Sequence, residues 1–132
     1  MIVIDASALV PVLIDDPPWT ASTIELLTRL GVSDLAAPHL VDIEVASALR
    51  RMVFAGGLSQ HSATGAFEEL QSIRLHRYPH APFLGRVWEL RQNLTAYDAA
   101  YVALAETLEV PLLTRDPAMA ISQTSAEVVV ID

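Results

Sequence analysis

The sequence predicts an α/β fold, a single domain in which a central, mainly parallel β-sheet is flanked by α-helices on both faces. Three observations predict it. Short apolar runs alternate with amphipathic helical segments along the chain. The runs MIVI and VPLL are continuously apolar, as strands buried on both faces are, instead of alternating in and out. Glycine and proline fall between the periodic segments as punctuation, and no repeat, low-complexity tract or linker divides residues 1–132.

Met1 to Asp5 is an apolar run ending in an acid, a buried strand, and Ala6 to Ile14 is a short helix stopped by Asp15, Asp16, Pro17 and Pro18. Trp19 to Leu30 is amphipathic, with Gly31 as its C-cap. Asp34 to Pro38 is a short strand, and Val41 to Phe54 a second clear helix ending at Gly56 and Gly57. Ser59 is an N-cap for a helix reaching about Ser72. Ile73 to Tyr78 alternates as a strand, and Ala81 to Gln92 is read as helical. Thr95 to Glu109 is the clearest helix of the chain. Pro111 to Thr114 and Glu127 to Ile131 are apolar, β-branched runs that close the sheet. Alternation of this kind implies right-handed crossovers between parallel strands.

A chain of 132 residues with 52% apolar content suits one hydrophobic core, which at this size buries roughly two-thirds of the unfolded surface. The absence of cysteine excludes a disulfide scaffold, zinc thiolate sites and a cysteine nucleophile, and accords with a reducing cytoplasm. The N-terminal apolar segment has no basic flank, carries Asp5 and is too short to span a bilayer, so no membrane association is expected. The formal charge is −8, and all eight basic side chains are arginine. An acidic protein cannot grip phosphates by its overall field, so any nucleic-acid partner must be held locally. Without lysine, P-loop nucleotide hydrolases and Schiff-base enzymes are excluded, and a phosphoacceptor receiver domain drops out for the same reason.

Four acids interrupt apolar patterns. Taking i, i+3, i+4, i+7, i+8 and i+11 from Val41 gives Val41, Glu44, Val45, Ala48, Leu49 and Met52, in which only Glu44 is wrong for a core. From Leu94 the same template gives Leu94, Tyr97, Asp98, Tyr101, Val102 and Ala105, again with one acid. Asp5 and Asp116 follow the apolar runs MIVI and VPLLTR, so they stand at strand C-termini. Helix starts and strand ends share the edge of a parallel sheet where ligands bind. Singly, each acid has an ordinary explanation. Asp98 could close a capping box with Thr95, Asp5 could cap the following helix, Glu44 could be a solvated first-turn acid, and Asp116 beside Pro117 a turn residue.

Jointly they point to a site. Like charges ~5 Å apart repel by roughly 0.8 kcal/mol in water and about 3 kcal/mol at an effective dielectric near 20, so something cationic must offset them: protonation of one acid would serve, but a divalent cation suits several carboxylate oxygens better. Hard carboxylate oxygens call for Mg²⁺ or Mn²⁺. Ser7 and Thr114, each two residues from one of these acids, could orient a carboxylate or a water. Arg115, beside Asp116, is the first candidate for a phosphate contact, with Arg86 and Arg91 behind it. Trp19, Trp88, Phe54 and Phe83 fit a core or a dimer surface better than a base-stacking platform. Among the histidines only His39, near Glu44, merits a place beside the site, and Asp42 is a lesser acidic candidate.

The segments VIDASAL, HLVDIEVASALRR and LTAYDAAYVALAETLEVPLLTRD, with the β-rich terminus, resemble a PIN domain over nearly the whole chain. Within that family they resemble the VapC toxin ribonucleases of type II toxin–antitoxin modules. The resemblance implies an acidic metal site of Asp5, Glu44, Asp98 and Asp116, with Ser7 and Thr114 in support and Asp116 the more variable ligand. It also implies Mg²⁺- or Mn²⁺-dependent hydrolysis of RNA, a homodimer, and a VapB-like antitoxin in a toxin–antitoxin hetero-oligomer. The alternative is a PIN-like module that binds metal or protein without cutting RNA. A phosphatase of the haloacid dehalogenase type would need a second acid where DASA has Ser7, and a lysine.

Overall fold

A computed structural model describes residues 1–131, without the side chains of Pro18 and Trp19; the expectation for Trp19 therefore falls outside the described residues. Five strands form one parallel sheet: β1 (Ile2–Ile4), β2 (Leu35–Pro38), β3 (Leu75–Tyr78), β4 (Leu112–Thr114) and β5 (Val128–Val130), in the order β3-β2-β1-β4-β5. Val3 stands opposite both Ala36 and Leu112, which fixes β1 at the centre. Its three residues are all buried, as their unbroken apolar sequence requires.

Among the described residues, six helices connect the strands: α1 (Ala6–Leu13), α2 (Pro17–Arg29), α3 (Leu40–Phe54), α4 (Gln60–Ser72), α5 (Leu84–Glu89) and α6 (Ala96–Leu108). The helix α6 lies on β1, β2 and β4 and is backed by α5, whereas α1 touches β4 and gathers α2, α3 and α4 around it. With right-handed crossovers, strand order 3-2-1-4-5 puts α1–α4 on one face and α5–α6 on the other. The core is continuous across the sheet and includes Ile2, Ile4, Leu9, Val45, Leu104 and Leu112.

Local chemistry sets the helix ends. Ser59 and Thr95 accept the amides of Ser62 and Asp98 and so cap α4 and α6. Gly31 takes a left-handed φ of 67° directly after α2, where a side chain would be strained. Several boundaries differ from expectation. Pro11, Gly65 and Gly85 lie inside helices and not between elements. Ile73 and Arg74 do not join β3, because the Ile73 amide still serves α4 by donating to the Glu69 carbonyl. The helix expected over Ala81–Gln92 is divided: it opens as a 3-10 turn over Ala81–Phe83, where Pro82 has no amide to donate, and α5 stops at Glu89.

The β4-to-β5 crossover contains no α-helix. It runs through one 3-10 turn, Pro117–Met119, pinned by the fully buried Met119. Arg86 of α5 reaches over to it, donating to the Gln123 carbonyl at 2.7 Å, while Thr124 donates to Glu106 of α6 at 2.7 Å. Among the described residues, no helix is long and apolar enough to cross a membrane.

Candidate active site

The strand order reverses direction beside β1: the chain builds β2 and β3 on one side, then returns to place β4 on the other. A crevice outside the carboxyl ends of β1 and β4 is the geometric result. It is a cleft of ≈ 1040 Å³, whose lining includes Asp5, Glu44, Asp98 and Asp116. Four acids separated by up to 111 positions (116 − 5) thus face one space.

Asp5 sits just past β1, with the residue 5% exposed. Its Oδ1 accepts the Ser7 hydroxyl at 2.7 Å and the Ala8 amide at 3.1 Å, so it does cap α1. Its Oδ2 accepts the Thr114 hydroxyl at 2.5 Å. A hydroxyl has one proton, and with both protons given to Asp5 the 3.3 Å approach of Ser7 Oγ to Thr114 Oγ1 is a contact without a proton to share. The same two oxygens accept the backbone amides of Arg115 (2.9 Å) and Asp116 (3.0 Å). Ser7 and Thr114 therefore bind Asp5 to the segment carrying Asp116. Asp116 in turn accepts the Ala118 amide at 2.9 Å and starts the 3-10 turn.

Asp98 comes from the first turn of α6, whereas Glu44 is the fifth residue of α3, past the first turn, whose acid is Asp42. Asp98 donates its amide to Thr95 at 3.2 Å, so the threonine caps the helix and the carboxylate stays half-exposed at the cleft. Glu44 Oε1 accepts the Tyr101 hydroxyl at 2.5 Å. Burial pushes the Asp5 carboxyl above its usual range, against hydrogen bonds from Thr114, Ser7 and Ala8, with repulsion from Asp98 adding to the rise. Glu44 is raised by burial and by Asp98 and Asp5, and Asp98 by burial and by Asp116.

Among the described residues no three His, Cys, Asp or Glu side chains form a ready-made metal cage. The donor chemistry nevertheless fits a hard divalent cation: every acid is an oxygen donor, and three of them are held above their usual ionisation range by burial and, secondarily, by repulsion from neighbouring acids.

Other expectations meet different surroundings. Arg115 lines the cleft. Arg86 does not: it pairs with Glu106 at 2.8 Å and Glu89 at 3.1 Å. Arg91 lies 4.6 Å over the ring of Trp88, which is 68% exposed. Asp42 is engaged by Arg77 at 2.8 Å, outside the cleft, and His39 is exposed and does not line it. Phe83 is in the core, whereas Phe54 is at the surface beneath Arg50. Tyr97, expected inward, is exposed at the cleft rim with Ile43.

Two lining residues were not singled out from sequence. Arg51 stands seven positions, two helical turns, beyond Glu44 on α3 and lowers that acid's pKa through space. Its spacing carried the signal. Tyr101 looked like an ordinary core residue, and only its hydroxyl contact sets it apart.

The family model described as PIN domain matches residues 2–123. Ribonuclease VapC1 of Mycobacterium tuberculosis is 45% identical over 119 residues, covering 89% of this chain and 87% of the relative. Ribonuclease VapC9 of the same species is 42% identical over 116 residues, covering 88% and 86%. The crystal structure of VapBC2 from Rickettsia felis, bound to a DNA fragment from its promoter, shares the fold with a TM-score of 0.66 at 15% identity, covering 100% of each chain.

Proposed function

The chain belongs to the PIN-domain family, and we propose that its acidic cleft cuts RNA with the help of a divalent cation. The protein is a ribonuclease, the toxin of a type II toxin–antitoxin module, as its likeness to VapC ribonucleases over nearly nine-tenths of the chain supports. The observation that carries the metal reading is the convergence of Asp5, Glu44, Asp98 and Asp116 on one cleft. Asp5, Glu44 and Asp98 would hold Mg²⁺ or Mn²⁺, and Asp116 would hold a second ion or position water. When bound, the cation supplies the charge that attracts the scissile phosphate, acidifies water and offsets negative charge in the transition state.

The chain's own groups do the rest. Water oxygen forms the new bond to phosphorus as the P–O bond to the leaving ribose oxygen breaks, and that oxygen takes up a proton from solvent water. A carboxylate not engaged by the cation accepts the proton of the attacking water. Ser7 and Thr114, by donating to both oxygens of Asp5, keep that carboxylate facing the cleft. Arg115 contacts substrate phosphate, supplying locally the attraction that a net charge of −8 denies at long range. An antitoxin of the VapB kind is the partner, and an arginine from it that paired with the carboxylates would block the cleft. A homodimer, joined in the hetero-oligomer by antitoxin, is the assembly in this reading.

The test is cleavage of a set of structured RNAs by purified protein with Mg²⁺ or Mn²⁺, repeated with chelator and with Asp98→Asn. Chelation is expected to stop cleavage, and the substitution to slow it by a factor on the order of 10² or more, the scale for losing one transition-state electrostatic contact. Cleavage that survives both treatments overturns the metal mechanism.

A further inference from the structure

We infer that Tyr101 is a positioning residue, whose hydroxyl holds Glu44 in the cleft with one oxygen occupied and the other presented to the cation. The ring belongs to the core: Tyr101 is 1% exposed and is among the largest fully buried side chains of the molecule. It lies one turn after Asp98 on α6, so it cannot swing without disturbing the helix that carries that acid. Its hydroxyl crosses to α3 and meets Glu44 Oε1 at 2.5 Å, and both residues line the cleft.

Two features separate positioning from packing. A phenylalanine would fill the same ring space, so the hydroxyl is superfluous to the core; among the described residues it donates to the Glu44 carboxylate. Glu44, moreover, has three flexible side-chain torsions and is repelled by Asp98 and Asp5. Left to itself such a side chain turns outward to solvent. A donor mounted on a rigid ring opposes that turn and fixes which oxygen remains available. Thr114 and Ser7 do the same for Asp5, by short hydroxyl contacts to its two oxygens. The two acids are therefore aimed by neutral hydroxyls, which add no charge to compete with a cation.

The inference rests on the metal reading of the cleft, and the experiment separates the two. Mn²⁺ binding is measured by titration calorimetry for the intact chain and for Asp5→Asn, Tyr101→Phe, Glu44→Gln and the Tyr101→Phe/Glu44→Gln pair. Tyr101→Phe is expected to weaken Mn²⁺ binding by roughly 10-fold, the lower end for groups that orient a ligand. The double variant should be no weaker than Glu44→Gln alone, because the hydroxyl acts only through that acid. Tyr101→Phe binding Mn²⁺ like the parent, or a double variant in which the two losses multiply, overturns the inference while leaving the metal reading intact. A parent chain that binds no Mn²⁺, or Asp5→Asn binding as tightly as the parent, overturns both. Should Tyr101→Phe fail to fold, 3-fluorotyrosine at position 101 gives the same answer. Its ¹⁹F resonance should move on Mg²⁺ addition in the parent and stay still in Glu44→Gln; a resonance unmoved in the parent overturns the inference.

Discussion

At the scale of single residues, Asp5 is held at a cost to the folded chain. Burial raises its carboxyl above the ordinary value of 3.8, and Glu44 and Asp98 are raised for related reasons. For an acid raised on folding, the linked stability is greatest below the unfolded pKa and is lost as pH rises through the folded one. Without divalent cations, these three groups should therefore weaken the fold as pH rises above about 4. Asp5→Asn keeps an oxygen for Ser7 and Ala8 but has no charge to bury. Its melting temperature in chelator at about pH 7 should equal or exceed the parent's, by a few degrees where roughly 4 °C corresponds to 1 kcal/mol, with the difference closing near pH 4. Scanning fluorimetry across that range checks it, and a lower melting temperature at neutral pH would sink the argument. Glu106 works in the opposite sense. Arg86 lowers its pKa, so its contribution is present above the ordinary 4.5 and disappears as pH falls through the folded value.

At the scale of elements, Arg86 is where the expectation of a substrate contact gives way to a tie between α5, α6 and the last crossover. Arg86→Ala should destabilise the protein by about 1–2 kcal/mol, charge-assisted bonds discounted for partial exposure. The salt dependence of RNA binding should not change, since no phosphate contact is lost. Denaturant unfolding and filter binding at several ionic strengths measure the two, and a shallower salt slope would restore Arg86 to the RNA surface. What the sequence made legible follows from what periodicity can see. Glu44 and Asp98 break apolar helical stripes, and Asp5 and Asp116 end apolar runs, so their approach to one edge could be read without coordinates. Tyr101 obeys the stripe, and a pattern of apolar spacing says nothing about where a phenol oxygen emerges. Tyr97 obeys the same stripe and is exposed, because α6 begins beside the open cleft and Tyr97 stands at its rim. The expected helix over Ala81–Gln92 failed locally, at Pro82 and at the turn after Glu89, where apolar spacing continues but the hydrogen-bond ladder does not.

At the scale of the whole molecule, an acidic protein that handles RNA concentrates its problem in one cleft. Adding a cation there should repay the repulsion among the acids. Mn²⁺ at about 100 times its Kd should stabilise the chain by about 2.7 kcal/mol, a rise of roughly 10 °C at about 4 °C per kcal/mol. Chelator should reverse the rise and Asp98→Asn should lose most of it; an unchanged melting curve would argue against a divalent site. The sheet adds a constraint of its own. Asp116 and β5 hang on one helix-free crossover, anchored by buried Met119 and by the contacts of Arg86 with Gln123 and of Thr124 with Glu106. The segment between β4 and β5 is tied at both ends, Arg115 and Asp116 by their amides to Ser7 and Thr114, and β5 by its ladder to β4. Hydrogen exchange at the β5 amides and at residues 115 and 116 should consequently proceed as one cooperative unit. An edge that opens in this way would take apart a wall of the molecule's own cleft each time it breathed.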